Sequence, residues 1–218
     1  MKAANGHETA DSAAVAFTRL LSQYLSQPLS FGQPFDSLSL LVSMLSSADQ
    51  RIRFFSWEVM PGGSWHYFFS LAQFRDDDGR SVVKPLTTEP SPAAEISDFS
   101  DSRIYEVHQL HMAGQTYYLC FAWGTHGGGH QHQLVRLYHI KGQQLLPCHG
   151  CLAGQDQLLI KYPRAAKSYL TYHPDTGSIS FAEFRFDAQE GIYKTTGRKV
   201  ILTPTNAVFI KQVLEKDR

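Results

Sequence analysis

The feature that most constrains this chain is a change in hydrophobic period near residue 50. Before it, apolar residues recur at helical spacing. Ala14, Phe17, Leu21 and Tyr24 fall on one face, Thr9 or Asp11 can cap the segment, and Pro28 stops it. The pattern predicts a helix over 8–27. A second, shorter helix is expected over 36–47, capped by Asp36, with Leu38, Leu41, Val42 and Leu45 as its stripe. After Arg51, short aromatic and β-branched runs alternate with turn signals about every ten residues, the grammar of antiparallel strands. Strands are expected at 51–58, 64–74, 80–86, 103–112, 115–123, 131–140, 157–162, 167–173, 178–186, 198–203 and 206–211. Asp78-Gly79, Ala113-Gly114 and Pro174-Asp175-Thr176-Gly177 supply turns.

These elements make the fold class mainly β (α+β): an antiparallel sandwich or open barrel with two N-terminal helices. One globular domain is expected, with residues 1–50 a helical segment packed on an antiparallel β domain of 51–218. At 218 residues the chain can bury a core without disulfides or metal. Residues 88–101, with Pro90, Pro92 and many Ser, Asp and Glu, read as a loop. Propeller blades would recur every ~40–45 residues with a shared signature, and none recurs. Lysine plus arginine equals aspartate plus glutamate at 20 each, which argues against a nucleic-acid partner. No run of 18 apolar residues spans a membrane, and Met1–Gly6 lacks the apolar core of a secretory signal.

Several motifs bear on chemistry. Gly124-Thr125-His126-Gly127-Gly128-Gly129-His130-Gln131-His132 is similar to the first metal motif of cupins, and histidines at i and i+2 share a strand face. A cupin carries a Glu three or four residues later. Here Arg136 stands there, and a cation repels a metal, so no metal and no cofactor are expected; His126, His130 and His132 are the alternative ligand set. His126-Gly127-Gly128-Gly129 also spells a lipase oxyanion run, but Gly62-Gly63-Ser64-Trp65-His66 is no nucleophile elbow. Asp175-Thr176-Gly177 occurs once, where aspartic-protease chemistry needs two such carboxylates. Cys148-His149-Gly150-Cys151 lacks a thioredoxin-like βαβ setting, so no catalytic role is expected. It closes as a local disulfide in an exported protein or stays as two loop thiols in the cytosol.

Ser56, Trp57, Glu58, Gly62, Gly63, Ser64, His66, Phe68 and Gln73 form a pattern that resembles a motif of uncharacterised exported, lipoprotein-like proteins of Bacteroidota. The resemblance implies a periplasmic or cell-surface location, with cytoplasmic residence the alternative, and it implies no activity. Physically the segment reads as a hairpin turning at Pro61-Gly62-Gly63, with Trp57 largely buried and Glu58 within hydrogen-bonding reach of His66. Trp57, Glu58, Trp65 and His66 are the ligand-binding candidates. The expected function is a non-enzymatic exported or cell-envelope domain that binds a sugar, peptide or envelope partner. A metal-dependent enzyme of cupin-like type, using the 126–132 histidines, is the alternative.

Overall fold

The computed structural model describes residues 4–58, 66–87, 102–125, 129–166 and 170–215. Helix α1 (Ala4–Leu25) opens the chain, and Pro28 begins a 3-10 turn, Pro28–Gly32, directly after it. Three antiparallel sheets follow in chain order. The first contains β1 (Ser43–Ser46), β2 (Ile52–Glu58), β3 (Phe68–Arg75) and β4 (Ser81–Pro85). The second contains β5 (Arg103–Met112), β6 (Gln115–Thr125), β7 (His130–Lys141), β8 (Gln144–Pro147) and β9 (Gln157–Pro163). The third contains β10 (Thr171–His173), β11 (Ser178–Asp187), β12 (Ile192–Thr205) and β13 (Val208–Leu214). Each sheet is a meander of strands adjacent in sequence, except that β8 and β9 both pair with β7 along different stretches.

The expected second helix over 36–47 does not form. A 3-10 turn at Leu38–Leu40 is followed by strand β1. The apolar spacing there fits a helix, but Leu40 and Leu41 are 85% and 82% exposed, and only Val42 is fully buried. Five serines between 37 and 47 weaken helix formation, because their hydroxyls compete for nearby backbone groups. The edge of β2 offers a ladder instead, pairing Ser43 with Ser56 and Ser46 with Arg53. Position 50 is therefore not a boundary between a helical segment and a β domain, since β1 and β2 pair across it. Strands β8 and the first half of β12 are additions to the expected set.

Side-chain alternation stacks the layers. On β2, Ile52 and Phe54 join a core shared with the second sheet, while Phe55 and Trp57 face α1 with Leu21 and Leu25. On β6, Tyr118, Cys120 and Ala122 face the first sheet, and Leu119 and Phe121 face the third. The order is helix, sheet, sheet, sheet, with three hydrophobic cores between them. Each fully buried large side chain contributes roughly 1.5–3 kcal/mol. This is an open stack of sheets and not a closed barrel.

Two fastenings tie these layers together. Gln73 Nε2 donates to the last carbonyl of α1, Leu25 O (2.6 Å), and approaches Ser30 Oγ (2.8 Å) and Ser81 Oγ (2.9 Å). Its Oε1 accepts from Arg53 Nε (3.1 Å) and Nη2 (2.6 Å). Arg53 also donates to Ser30 O and Gln33 O, and lies over the rings of Phe31, Phe35 and Phe55. Between the second and third sheets, Cys148 and Cys151 form a disulfide in the loop that follows β8.

Candidate functional site

The antiparallel connectivity brings nine strand ends toward one end of the stack: Glu58 and Phe68, Pro85 and Arg103, Thr125 and His130 with Pro163, and Asp187 and Ile192. Three contacts hold this end together. His66 N donates to Thr125 Oγ1 (3.1 Å), joining the first sheet to the second. Ser102 Oγ and His132 Nε2 lie 2.6 Å apart, both residues fully buried. The His130 ring meets Tyr193 edge-on, with centroids 5.4 Å apart, joining the second sheet to the third.

Glu58 ends β2 opposite Phe68, the first residue of β3. The chain returns through His66, whose Nδ1–H donates to the Glu58 carboxylate. A carboxylate only accepts, so Nδ1 carries the proton, and in the neutral ring Nε2 is left as an acceptor. The His66 ring stacks on Phe68 at 6.4 Å, and the two side chains of the pair are 27% and 33% exposed. The pair therefore sits at a rim: fixed from below by the core, open above to solvent.

Trp57 belongs to the core and not to that rim. It is 6% exposed, faces α1, and packs edge-on against Phe17 (5.1 Å) and parallel to Phe69 (6.0 Å). Its Nε1 is buried with no hydrogen-bond partner among the described residues. Trp65 and His126 lie outside the described residues. Gln73, part of the same sequence pattern, is the helix clamp described above.

The histidines of the glycine-rich stretch diverge. His132 turns its Nε2 to Ser102, and His130 packs on Tyr193 with Nε2 buried and without a hydrogen-bond partner among the described residues. Arg136 donates from Nε (3.0 Å) and Nη2 (2.6 Å) to Gln157 Oε1. Among the described residues no group of three or more His, Cys, Asp or Glu side chains converges on a point that could hold a metal.

Ser102 and Thr125 complete the site, and no local signal marks them. Each meets its partner across 30 or 59 residues of sequence, through sheet packing. At the opposite end of the first sheet lies an open concavity of about 730 Å³ beside Phe31, Arg51 and Arg75. Its acids are engaged: Asp77 takes the Gly142 N–H and, secondarily, Arg51, which hold its carboxyl below the ordinary range, and Asp76 takes the N–H groups of Asp78 and Arg80. Comparison with known proteins returns no matching family model, no matching curated protein and no matching solved structure.

Proposed function

We propose that this chain is a non-enzymatic binding domain of the exported or cell-envelope class, and that it holds its ligand at the end of the stack where Glu58, His66 and Thr125 meet. The observation that carries the reading is the Glu58–His66 pair: a hydrogen-bonded, partly exposed polar couple beside the paired ends of β2 and β3. Polar groups held by scaffold and left open to solvent give orientation and specificity to a bound molecule. A sugar hydroxyl or a peptide N–H would donate to His66 Nε2, and the Glu58 oxygens would accept further donors. The neutral charge balance favours such uncharged donors over nucleic acid. The Cys148–Cys151 disulfide is at home in an oxidising compartment, which agrees with export. The metal-dependent alternative draws no support from His132, whose Nε2 is engaged by Ser102, or from Arg136, four residues along β7 and turned to Gln157.

Binding to arrays of envelope glycans and peptides, followed by titration of the best hit, tests the proposal. His66→Ala and Glu58→Gln should each weaken binding by about tenfold or more, the effect of losing one good hydrogen bond, with thermal midpoints near the parent's. Hits whose affinity is indifferent to both substitutions refute this location for the site.

A further inference from the structure

The loop from Cys148 to Asp156 joins the second sheet to the third. Cys148 N donates to Leu137 O (2.8 Å) in β7, which anchors the loop to the second sheet. Two further bonds reach across to β13: Phe209 N donates to Cys151 O (2.7 Å), and Ala153 N donates to Phe209 O (3.0 Å). Phe209 is 1% exposed and sits in the core between these sheets, beside Leu152 and both cysteines. The ring closed by the disulfide thus carries one of the acceptors on which β13 is hung. The loop is pinned on its outer side by Asp156, whose carboxylate accepts from His149 Nδ1 (2.9 Å) and Gly150 N (2.7 Å).

A chain of this size with three cores does not depend on a four-residue ring to fold. The position of the ring gives it a different use. We propose that Cys148 and Cys151 are a reversible dithiol–disulfide site, reduced and reoxidised by exchange with a dithiol partner, and that its oxidation state sets how firmly β13 is held to the second sheet. Both cysteines are buried, in a loop whose His149, Ala153 and Gly154 are exposed, so the loop opens locally before a partner thiolate attacks one sulfur of the pair. The Cys148–Cys151 bond breaks, a mixed disulfide forms, and the released cysteine takes up a proton. The partner's second thiol loses its proton and attacks the mixed disulfide. The partner leaves as a disulfide, and the chain is left with two thiols; two electrons and two protons have been transferred. A place for the product exists, because Cys151 Sγ lies 3.7 Å from the His149 carbonyl oxygen, an acceptor for the new S–H. The remaining cysteine, Cys120, takes no part. It is fully buried on the other face of the second sheet, and burial pushes its thiol pKa up.

The experiment uses the full chain. Mass spectrometry after alkylation first counts thiols in the folded protein before and after dithiothreitol, and hydrogen exchange is then compared between the two forms. The expected result is a bridged pair that dithiothreitol opens without unfolding. Exchange at the Ala153 and Phe209 amides should then accelerate roughly twentyfold, the loop-closure effect of a four-residue ring, while β2 and β3 exchange as before. The Cys148→Ser, Cys151→Ser double variant should reproduce the reduced pattern. The proposal is overturned if the pair resists dithiothreitol until the chain unfolds, if the two thiols fail to re-form the bond with oxidised dithiothreitol, or if exchange at Ala153 and Phe209 is the same in both forms. It is equally overturned if protection falls alike in all three sheets, which would mark the bond as a general staple.

Discussion

Trp57 offers the sharpest test of how the first sheet is held. Its indole is sandwiched between Phe17 of α1 and Phe69 of β3, yet its N–H is buried without a hydrogen-bond partner among the described residues. Two opposing terms follow. Truncating a buried Trp to Ala removes about 3–5 kcal/mol of packing. Removing an unsatisfied buried donor returns about 1–3 kcal/mol. Trp57→Ala should therefore destabilise by roughly 2 kcal/mol, below the usual cost for so large a side chain. At ~2–4 °C per kcal/mol for a chain of this size, the thermal midpoint should fall by about 4–8 °C. Trp57→Phe keeps an aromatic ring between Phe17 and Phe69 and discards only the N–H and part of the area, so its midpoint should lie within about 1 kcal/mol of the parent's. Calorimetric or circular-dichroism melts of both variants decide the matter. If Trp57→Phe falls as far as Trp57→Ala, the indole N–H is contributing a bond and the two-term account is wrong. If Trp57→Ala melts like the parent, the indole is not packed against the helix at all.

Gln73→Ala should loosen α1 selectively: it strips one donor from Leu25 O and one acceptor from Arg53, a loss of about 2–4 kcal/mol, read as faster hydrogen exchange in residues 15–25 with the second sheet unchanged. Burial, and secondarily the charge of Lys141, lower the pKa of His139 from its ordinary 6.5. The unfolded chain then binds the proton more readily than the folded one, so His139 subtracts stability as pH falls below about 6.5. His139→Gln should accordingly flatten the fall in thermal midpoint between pH 7.5 and 5.5; a parallel fall in variant and parent would rule His139 out as its source.

Much of the fold was legible because local rules agreed with the tertiary outcome. Ala113 and Gly114 both take positive φ between β5 and β6, as a two-residue hairpin turn demands. The burial of Trp57 and the nearness of Glu58 to His66 follow from the antiparallel pairing of β2 with β3, Glu58 opposite Phe68, while the expected turn at Pro61-Gly62-Gly63 lies outside the described residues. The segment expected as a second helix is not legible as a strand because Leu38, Leu41, Val42 and Leu45 satisfy a helical period equally well, and the edge of β2 decides the competition. The stacking of three meanders left no mark, since the sheets share a plan and not a sequence signature. The i, i+2 spacing of His130 and His132 suggested a common target; sheet packing sent one ring to Tyr193 and the other to Ser102. Ser102 and Thr125 were invisible for the same reason.

The middle sheet, apolar on both faces, has a consequence for synthesis. As the chain leaves the ribosome, α1 and the first four strands emerge early and already offer a cover for one face of β6 and β7. The other face, with Leu119, Phe121, Val135 and Leu137, stays bare until residues 171–214 appear. A nascent chain paused near residue 166 would display that surface to its surroundings, the condition in which partly made proteins aggregate or recruit chaperones. Completion of the last meander is therefore the point at which the product ceases to need protection.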